Sequence, residues 1–411
     1  MNQLYNFAIF LFGLAIRFLA LFDPKIKLFV EGRKETFPKL KAAIQKDDRT
    51  IWIHCASLGE FEQGRPIIEA LRNSGTAHKI ILSFYSPSGY EVQKNYQHAD
   101  VVVYLPVDSR KKAKKFIELA HPSMAVFIKY EFWPNFLKEL EKAAVTTLLV
   151  SGIFRKDQLF FKPYGFWLKK SLNAFDHFFV QNELSRSLLE QLSFTNVTVS
   201  GDTRFDRVAS ILKQNNTMEF LTEFTKNKTV FVAGSTWPED EAHLIQLINH
   251  KPYENVAFII APHNINSKDI LGLKKSFDKK AALYSEGIPE GHTKILIVDT
   301  IGLLTKIYSY ADVAYVGGGF GKEGVHNVLE PAVFGVPMVI GPIYDKFEEA
   351  KDLVRLEACA VADSEKDILQ LCDSLISSSE LRKKMGIKAE NYIREHLGAT
   401  EIILNYIYDK I

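Results

Sequence analysis

From Tyr315 the chain reads Tyr-Val-Gly-Gly-Gly-Phe-Gly-Lys-Glu-Gly-Val-His-Asn-Val-Leu-Glu-Pro331. An apolar strand (Val313 to Val316) runs into glycines at 317, 318, 319, 321 and 324. A helix is expected next, opening with His326 and Asn327 and carrying Glu330 on its first turn. Glycine lets backbone N–H groups come close to an anion, and a helix N-terminus adds partial positive charge. Glu330 follows Asn327 by three residues, so both fall on one helical face. A carboxylate beside an anion site can grip hydroxyls, as an acidic residue grips a nucleotide ribose. The spacing differs from the first-turn G-x-G-x-x-G of a dinucleotide fold and comes late in the chain. It predicts a nucleotide-sugar site in which Gly317, Gly318, Gly319, His326, Asn327 and Glu330 meet the nucleotide. A tight strand-to-helix turn with ordinary caps is the simpler alternative.

Other motifs also sit after apolar runs. In His54-Cys-Ala-Ser-Leu-Gly-Glu60 the glutamate begins a helix, where the dipole stabilises its anion. It is placed to take a proton from an incoming hydroxyl, or merely to cap the helix. Glu131, in Lys129-Tyr-Glu-Phe-Trp-Pro-Asn135, also lies at a strand's carboxyl end; it is a site residue or a loop brace. In Gly201-Asp-Thr-Arg-Phe-Asp206, Arg204 can neutralise a departing phosphate or pair with Asp206. Ser235 and Thr236 offer hydroxyls and amides to a phosphate, or cap a helix. Pro262 and His263 end another strand, with His263 a candidate contact to nucleobase or phosphate. There is no Asp-x-Asp pair, His-Glu-x-x-His or Walker lysine, so neither metal nor cofactor is expected.

Short apolar strands alternating with helical segments must position these residues. Seven such strands fall between residues 51 and 199, and six between 230 and 361. That alternation argues for parallel α/β sheets in two domains with a cleft between them. The expected division is 35–213, a polar linker at 214–228, 229–380, and terminal helices over 381–411 that can cross back. A net charge of +2 with no stacking motif gives no support for nucleic-acid binding. Three cysteines without a C-x-x-C pair point to a reducing compartment. Residues 1–34 read differently. Leu4 to Phe22 is almost continuously apolar, with Asn6, Gly13 and Arg17 on one face and Lys25, Lys27, Arg33 and Lys34 following. This predicts a membrane-associated helix, spanning or interfacial, whose basic flank stays cytoplasmic near anionic headgroups; a buried core helix is the alternative.

Together these segments resemble the Kdo (3-deoxy-D-manno-octulosonic acid) transferases of Gram-negative lipopolysaccharide synthesis. The resemblance spans the apolar N-terminus, Ala56 to Glu60, Glu131 to Asn135, Gly201 to Asp206, Gly234-Ser-Thr and Gly318 to Pro331. It implies a GT-B fold of two Rossmann-like domains, the first binding the acceptor and the second CMP-Kdo. It also implies inverting transfer of Kdo to the lipid A precursor (lipid IVA) at the cytoplasmic side of the inner membrane. Glu60 then matches the general base, and Glu131 and Arg204 match acceptor or transition-state positions. Residues 262–263, 317–319 and 326–330 would contact CMP. This chain has Lys129 where many members have glutamate, Arg204 where they have lysine, and no arginine between Pro262 and His263. A GT-B transferase or 2-epimerase using a UDP- or GDP-sugar is the competing reading.

Overall fold

A computed structural model describes all residues except 1, 163–164, 251–252, 278–280 and 288–292. The first sheet comprises β1 (Thr50–Cys55), β2 (Lys79–Phe84), β3 (Val101–Tyr104), β4 (Pro122–Ile128), β5 (Thr146–Gly152), β6 (His177–Val180) and β7 (Val197–Val199). Its order is β3-β2-β1-β4-β5-β6-β7, with every pairing parallel. Parallel strands covered on both faces read as unbroken apolar runs. Along β1, Ile51 and Ile53 enter one core cluster and Trp52 enters another on the opposite face.

The second sheet comprises β8 (Thr229–Thr236), β9 (Val256–Pro262), β10 (Ala281–Leu283), β11 (Ile295–Ile297), β12 (Val313–Val316), β13 (Met338–Ile340) and β14 (Cys359–Val361). Its order is β10-β11-β9-β8-β12-β13-β14, again parallel. In each sheet the chain reverses direction at the central strands, β1/β4 and β8/β12. The carboxyl ends of strands at such a reversal are where open α/β sheets bind ligands.

The chain divides into two compact units, 1–207 with 397–411, and 208–396. The boundary is therefore not a linker at 214–228. That stretch contains the helix Glu219–Thr225, which buries Leu221 and Phe224 in the second unit. Its polar residues are the solvent face of a packed element. Of the terminal helices, Ser379–Glu395 stays with the second unit, while Ala399–Tyr408 joins the first. Asp206 fixes the latter by accepting from the Gly398 and Thr400 amides at 2.8 and 2.7 Å, and Ile403 and Ile407 complete the core behind β1.

The N-terminus forms two helices, Asn2–Leu19 and Pro24–Gly32. Among the described residues no helix is long and apolar enough to cross a membrane. Tyr5, Asn6, Ile9, Gly13, Ile16 and Ala20 are partly covered, a stripe at helical spacing. The Tyr5 hydroxyl donates to Asp108 at 2.7 Å, and Asn6 accepts from Asn135 at 3.1 Å. Leu4, Phe7, Phe10, Leu14 and Phe18 stay exposed, as does Arg17, which leaves the face of Asn6 and Gly13. Arg33 is not a headgroup-facing charge. Its guanidinium lies 3.4 Å from the Phe29 ring centroid and 4.7 Å from that of Tyr85, and donates to the Phe29 and Tyr85 carbonyls.

Candidate active site

In the first unit, β1 ends at Cys55 and Ser57 caps the helix Leu58–Asn73 by accepting from Gly59. Glu60, half-buried in the first turn, accepts a hydrogen bond from the Ser57 hydroxyl. The cap contact thus exists, made by Ser57, and it tethers the Glu60 carboxylate at the carboxyl end of β1. Burial pushes the Cys55 thiol well above its ordinary value, and Glu60, Glu131 and Glu62 add to the effect. Cys55 is therefore no nucleophile, and both candidate carboxylates act on it.

Glu131 follows β4. Its Oε2 accepts from the Trp133 indole at 2.6 Å and lies 3.1 Å from His54 Nε2. The loop carrying it is pinned at its far end by Asp108, which accepts from the Asn135 and Phe136 amides at 3.1 Å each. That bond places a carboxylate at the start of the helix Pro134–Lys142. Lys129 adopts φ 70°, and its Nζ lies 5.1 Å from the Tyr130 ring centroid. Burial raises the Tyr130 phenol, a nearby Arg155 lowers it, Glu60 raises it and Arg204 lowers it. The Arg155 guanidinium lies 5.7 Å from the Tyr130 ring centroid. Neither Tyr130 nor Arg155 was singled out from the sequence, because only the packing brings the end of β5 beside that of β4.

Arg204 is held by Asp202, not Asp206: Nε and Nη2 donate to Asp202 Oδ2 at 2.9 and 2.8 Å. Burial would push the Asp202 carboxyl up, but the Arg204 guanidinium beside it holds it below the usual range. Asp206 is committed to capping the last helix.

In the second unit, all the sequence-selected residues lie at or just past the carboxyl ends of β8, β9 and β12. Their local geometry departs from expectation in three ways. The helix begins at Leu329, not His326, and spans only Leu329–Val333, too short to build a strong dipole; Asn327 accepts from the Leu329 amide instead. Asn327 Nδ2 does donate to Glu330 Oε1 at 3.0 Å, and Thr305 donates to Glu330 Oε2 at 3.0 Å.

The glycines also serve the protein first. The Gly317 amide donates to Gly234 O at 2.9 Å and the Gly318 amide to Asp240 Oδ2 at 2.8 Å. They are therefore not the amides that meet a phosphate. Gly318 has φ 93°, and a Cβ there would stand 2.3 Å from Gly324 O; one on Gly319 would stand 2.6 Å from Gly341 N. Tight backbone packing demands these glycines.

The third departure concerns the hydroxyls. Thr236 is buried and donates to Glu241 at 3.1 Å, so its hydroxyl proton is committed within the protein. Ser235, at φ 54°, occupies the bulge between Gly234 and Thr236. Pro262 ends β9, and the His263 amide donates to Thr236 O at 2.8 Å. The His263 ring stacks on Trp237 and His326, with centroids 4.7 and 4.5 Å away. Burial, with His263 adding to it, lowers His326 to about 4, so its neutral Nε2 accepts from the Trp237 indole at 2.8 Å.

Asp240 was missed. It is fully buried and accepts from the Trp237 amide, the Gly318 amide and the Tyr315 hydroxyl at 2.9, 2.8 and 2.7 Å. In the sequence it looks like one acid among three at a helix start. Among the described residues no three His, Cys, Asp or Glu side chains gather as a metal site.

Residues 30–207 match the family model of 3-deoxy-D-manno-octulosonic-acid transferases, so the match covers β1, the Glu60 turn, the Glu131 loop and Arg204. A transferase of that name from Aquifex aeolicus is 26% identical over 374 residues, covering 90% of this chain and 96% of its own. The chain thus carries a segment that matches the Kdo transferase family model and is similar to such a transferase over most of its length. A bifunctional glycosyltransferase/methyltransferase of Fusobacterium nucleatum is 28% identical over 395 residues, and this chain spans 56% of its length. Among solved structures, the UDP-GlcNAc 2-epimerase of Neisseria meningitidis superposes with TM-score 0.61 at 15% identity, over 88% of this chain and all of that one. That likeness shows the fold, GT-B, with two Rossmann-like domains.

Proposed function

We propose that this protein transfers Kdo from CMP-Kdo to the lipid A precursor, lipid IVA, with inversion at the anomeric carbon. The observation that carries the reading is the tethered Glu60 carboxylate at the end of β1, inside the segment that matches the transferase family. Glu60 takes the proton of an acceptor sugar hydroxyl. That oxygen attacks the anomeric carbon as CMP leaves from the opposite face, through an oxocarbenium-like state. Arg204, oriented by Asp202, offsets the charge developing on the phosphate. In the second unit Glu330 accepts from the ribose hydroxyls, while Ser235 and the Gly319 amide serve the phosphate. No metal or cofactor is part of this scheme.

Placement at the cytoplasmic face of the inner membrane belongs to the same proposal. The helix Asn2–Leu19 docks by the covered stripe that holds Tyr5 and Asn6 and presents Phe7, Phe10 and Phe18 to solvent, which suits insertion into the membrane interface. Replacing those three phenylalanines with serine keeps the docking face and should release the protein from membranes. High salt alone should not, because apolar insertion is unscreened; complete release by salt would rule out insertion.

Calorimetric titration separates the donor readings. CMP should bind and UDP should bind far more weakly; the reverse order would favour a UDP-sugar enzyme on the same fold.

A further inference from the structure

His54 lies on β1 with no exposed surface, and its bonds are more particular than a packing role requires. The Trp52 indole donates to Ser83 Oγ at 2.7 Å, and Ser83 Oγ lies 2.8 Å from His54 Nδ1. On the other side, His54 Nε2 lies 3.1 Å from Glu131 Oε2, which also accepts from Trp133 at 2.6 Å. The row is continuous from one indole to the other.

Both ring nitrogens are engaged on two sides. Nε2 lies 3.1 Å from Glu131 Oε2 and 3.3 Å from the Trp133 indole nitrogen, and Nδ1 lies 2.8 Å from Ser83 Oγ and 3.1 Å from Ser83 O. The ring therefore bridges the end of β2 to the loop after β4 through both of its polar atoms. We propose that His54 is a positioning residue of the acceptor site, which aims the Glu131 carboxylate. The proposal rests on reading Glu131 as a site residue.

The groups facing Glu131 are His54 and Trp133 in direct contact, Cys55 beside His54 on β1, and Tyr85 after β2. Cys55 is pushed well above its ordinary value, and Tyr85 is also raised. Neither carries charge near neutral pH, so His54 and the Trp133 indole are the groups that hold the carboxylate in place. Removing a donor to the charged form raises a carboxyl pKa.

The test compares pH profiles of Kdo transfer for the wild type, His54→Phe and His54→Gln. Phenylalanine keeps a ring among Trp52, Phe127 and Trp133 but deletes both bonds; glutamine restores one donor. His54→Phe should move the acid limb of kcat upward by about one pH unit and lower kcat at its acid end by roughly tenfold or more. The KM for CMP-Kdo should stay unchanged, and His54→Gln should recover most of the loss. An equal loss at every pH, with no recovery by glutamine, would leave His54 a packing residue.

A second measurement needs no activity. The His54 signals in the ¹⁵N-histidine spectrum of the wild-type protein should shift in Glu131→Gln, because the ring contacts that carboxylate directly. Unchanged signals would overturn the contact. If the wild-type protein transfers no Kdo, the proposed reaction fails while the spectrum still decides whether His54 holds Glu131.

Discussion

The loop after β4 and the loop after β12 are both held in place at the end of a central strand, by opposite means. Residues 129–135 are braced by side chains: His54 and Trp133 on Glu131, Asp108 and Asn6 on Asn135. Residues 317–325 are braced by backbone. Gly317 bonds to Gly234, Gly319 O accepts from Ile343, and Val325 donates to Ile343 O. The buried Asp240 side chain locks that second loop to its helix. A side-chain brace can be weakened one bond at a time, each worth about 1 kcal/mol or more. At Gly317, Gly318 and Gly319 the backbone brace leaves no room for a side chain, since a Cβ there would stand 2.4, 2.3 and 2.6 Å from the nearest backbone atom. The first loop should therefore respond to substitution in steps, and the second all at once.

The largest effect should come from chemistry at the side-chain-braced end. Glu60→Gln removes the base but keeps the Ser57 contact, so turnover should fall by roughly two to four orders of magnitude. CMP affinity and Tm should hardly change. Near wild-type turnover would place the base elsewhere.

Gly318→Val attacks the backbone-braced end. Valine resists φ 93° and its Cβ would collide with Gly324 O. Calorimetric CMP binding should be lost, and hydrogen exchange over 317–325 should rise even without ligand. Lost binding with unchanged exchange would instead mean that the glycine is there for the ligand's approach.

Glu330→Gln is milder. Replacing a charge-assisted acceptor should weaken CMP by about ten- to a hundredfold and reduce the preference for CMP over deoxy-CMP. An unchanged ratio of the two affinities would remove Glu330 as the reader of the ribose 2′-hydroxyl.

The smallest effect is a pH slope confined to the second unit. His326 sits near 4 when folded, against 6.5 ordinarily. The unfolded state therefore binds more protons between those values. The stabilisation is complete above about pH 6.5 and is lost progressively as pH falls toward 4. His326→Asn should flatten that slope in thermal melts; an equal slope in both proteins would assign it to other groups.

The strands were legible because buried parallel strands leave unbroken apolar runs, as in Ile51–Ile53 and Val313–Val316. Ala281–Leu283 was missed: three residues at a sheet edge carry too little pattern. Glu60, Glu131 and Glu330 were selected because their motifs follow apolar strands in sequence. Asp240, Tyr130 and Arg155 were not, since their partners lie far along the chain. The glycines were found for a reason only partly right: their sequence shows close approach but not whether ligand or backbone approaches. Arg33 misled for a similar cause, because a basic residue after an apolar helix looks the same whether it meets lipid or a cage of aromatic rings.

The reaction itself is tested most directly by the mass of its product. Purified protein incubated with CMP-Kdo and tetra-acylated lipid A precursor should yield the precursor bearing added Kdo, together with free CMP. The new linkage should be inverted relative to the donor, and Glu60→Gln should make almost none. An unmodified precursor beside intact CMP-Kdo, from folded protein that binds CMP, would show that this chain does not carry out the proposed transfer.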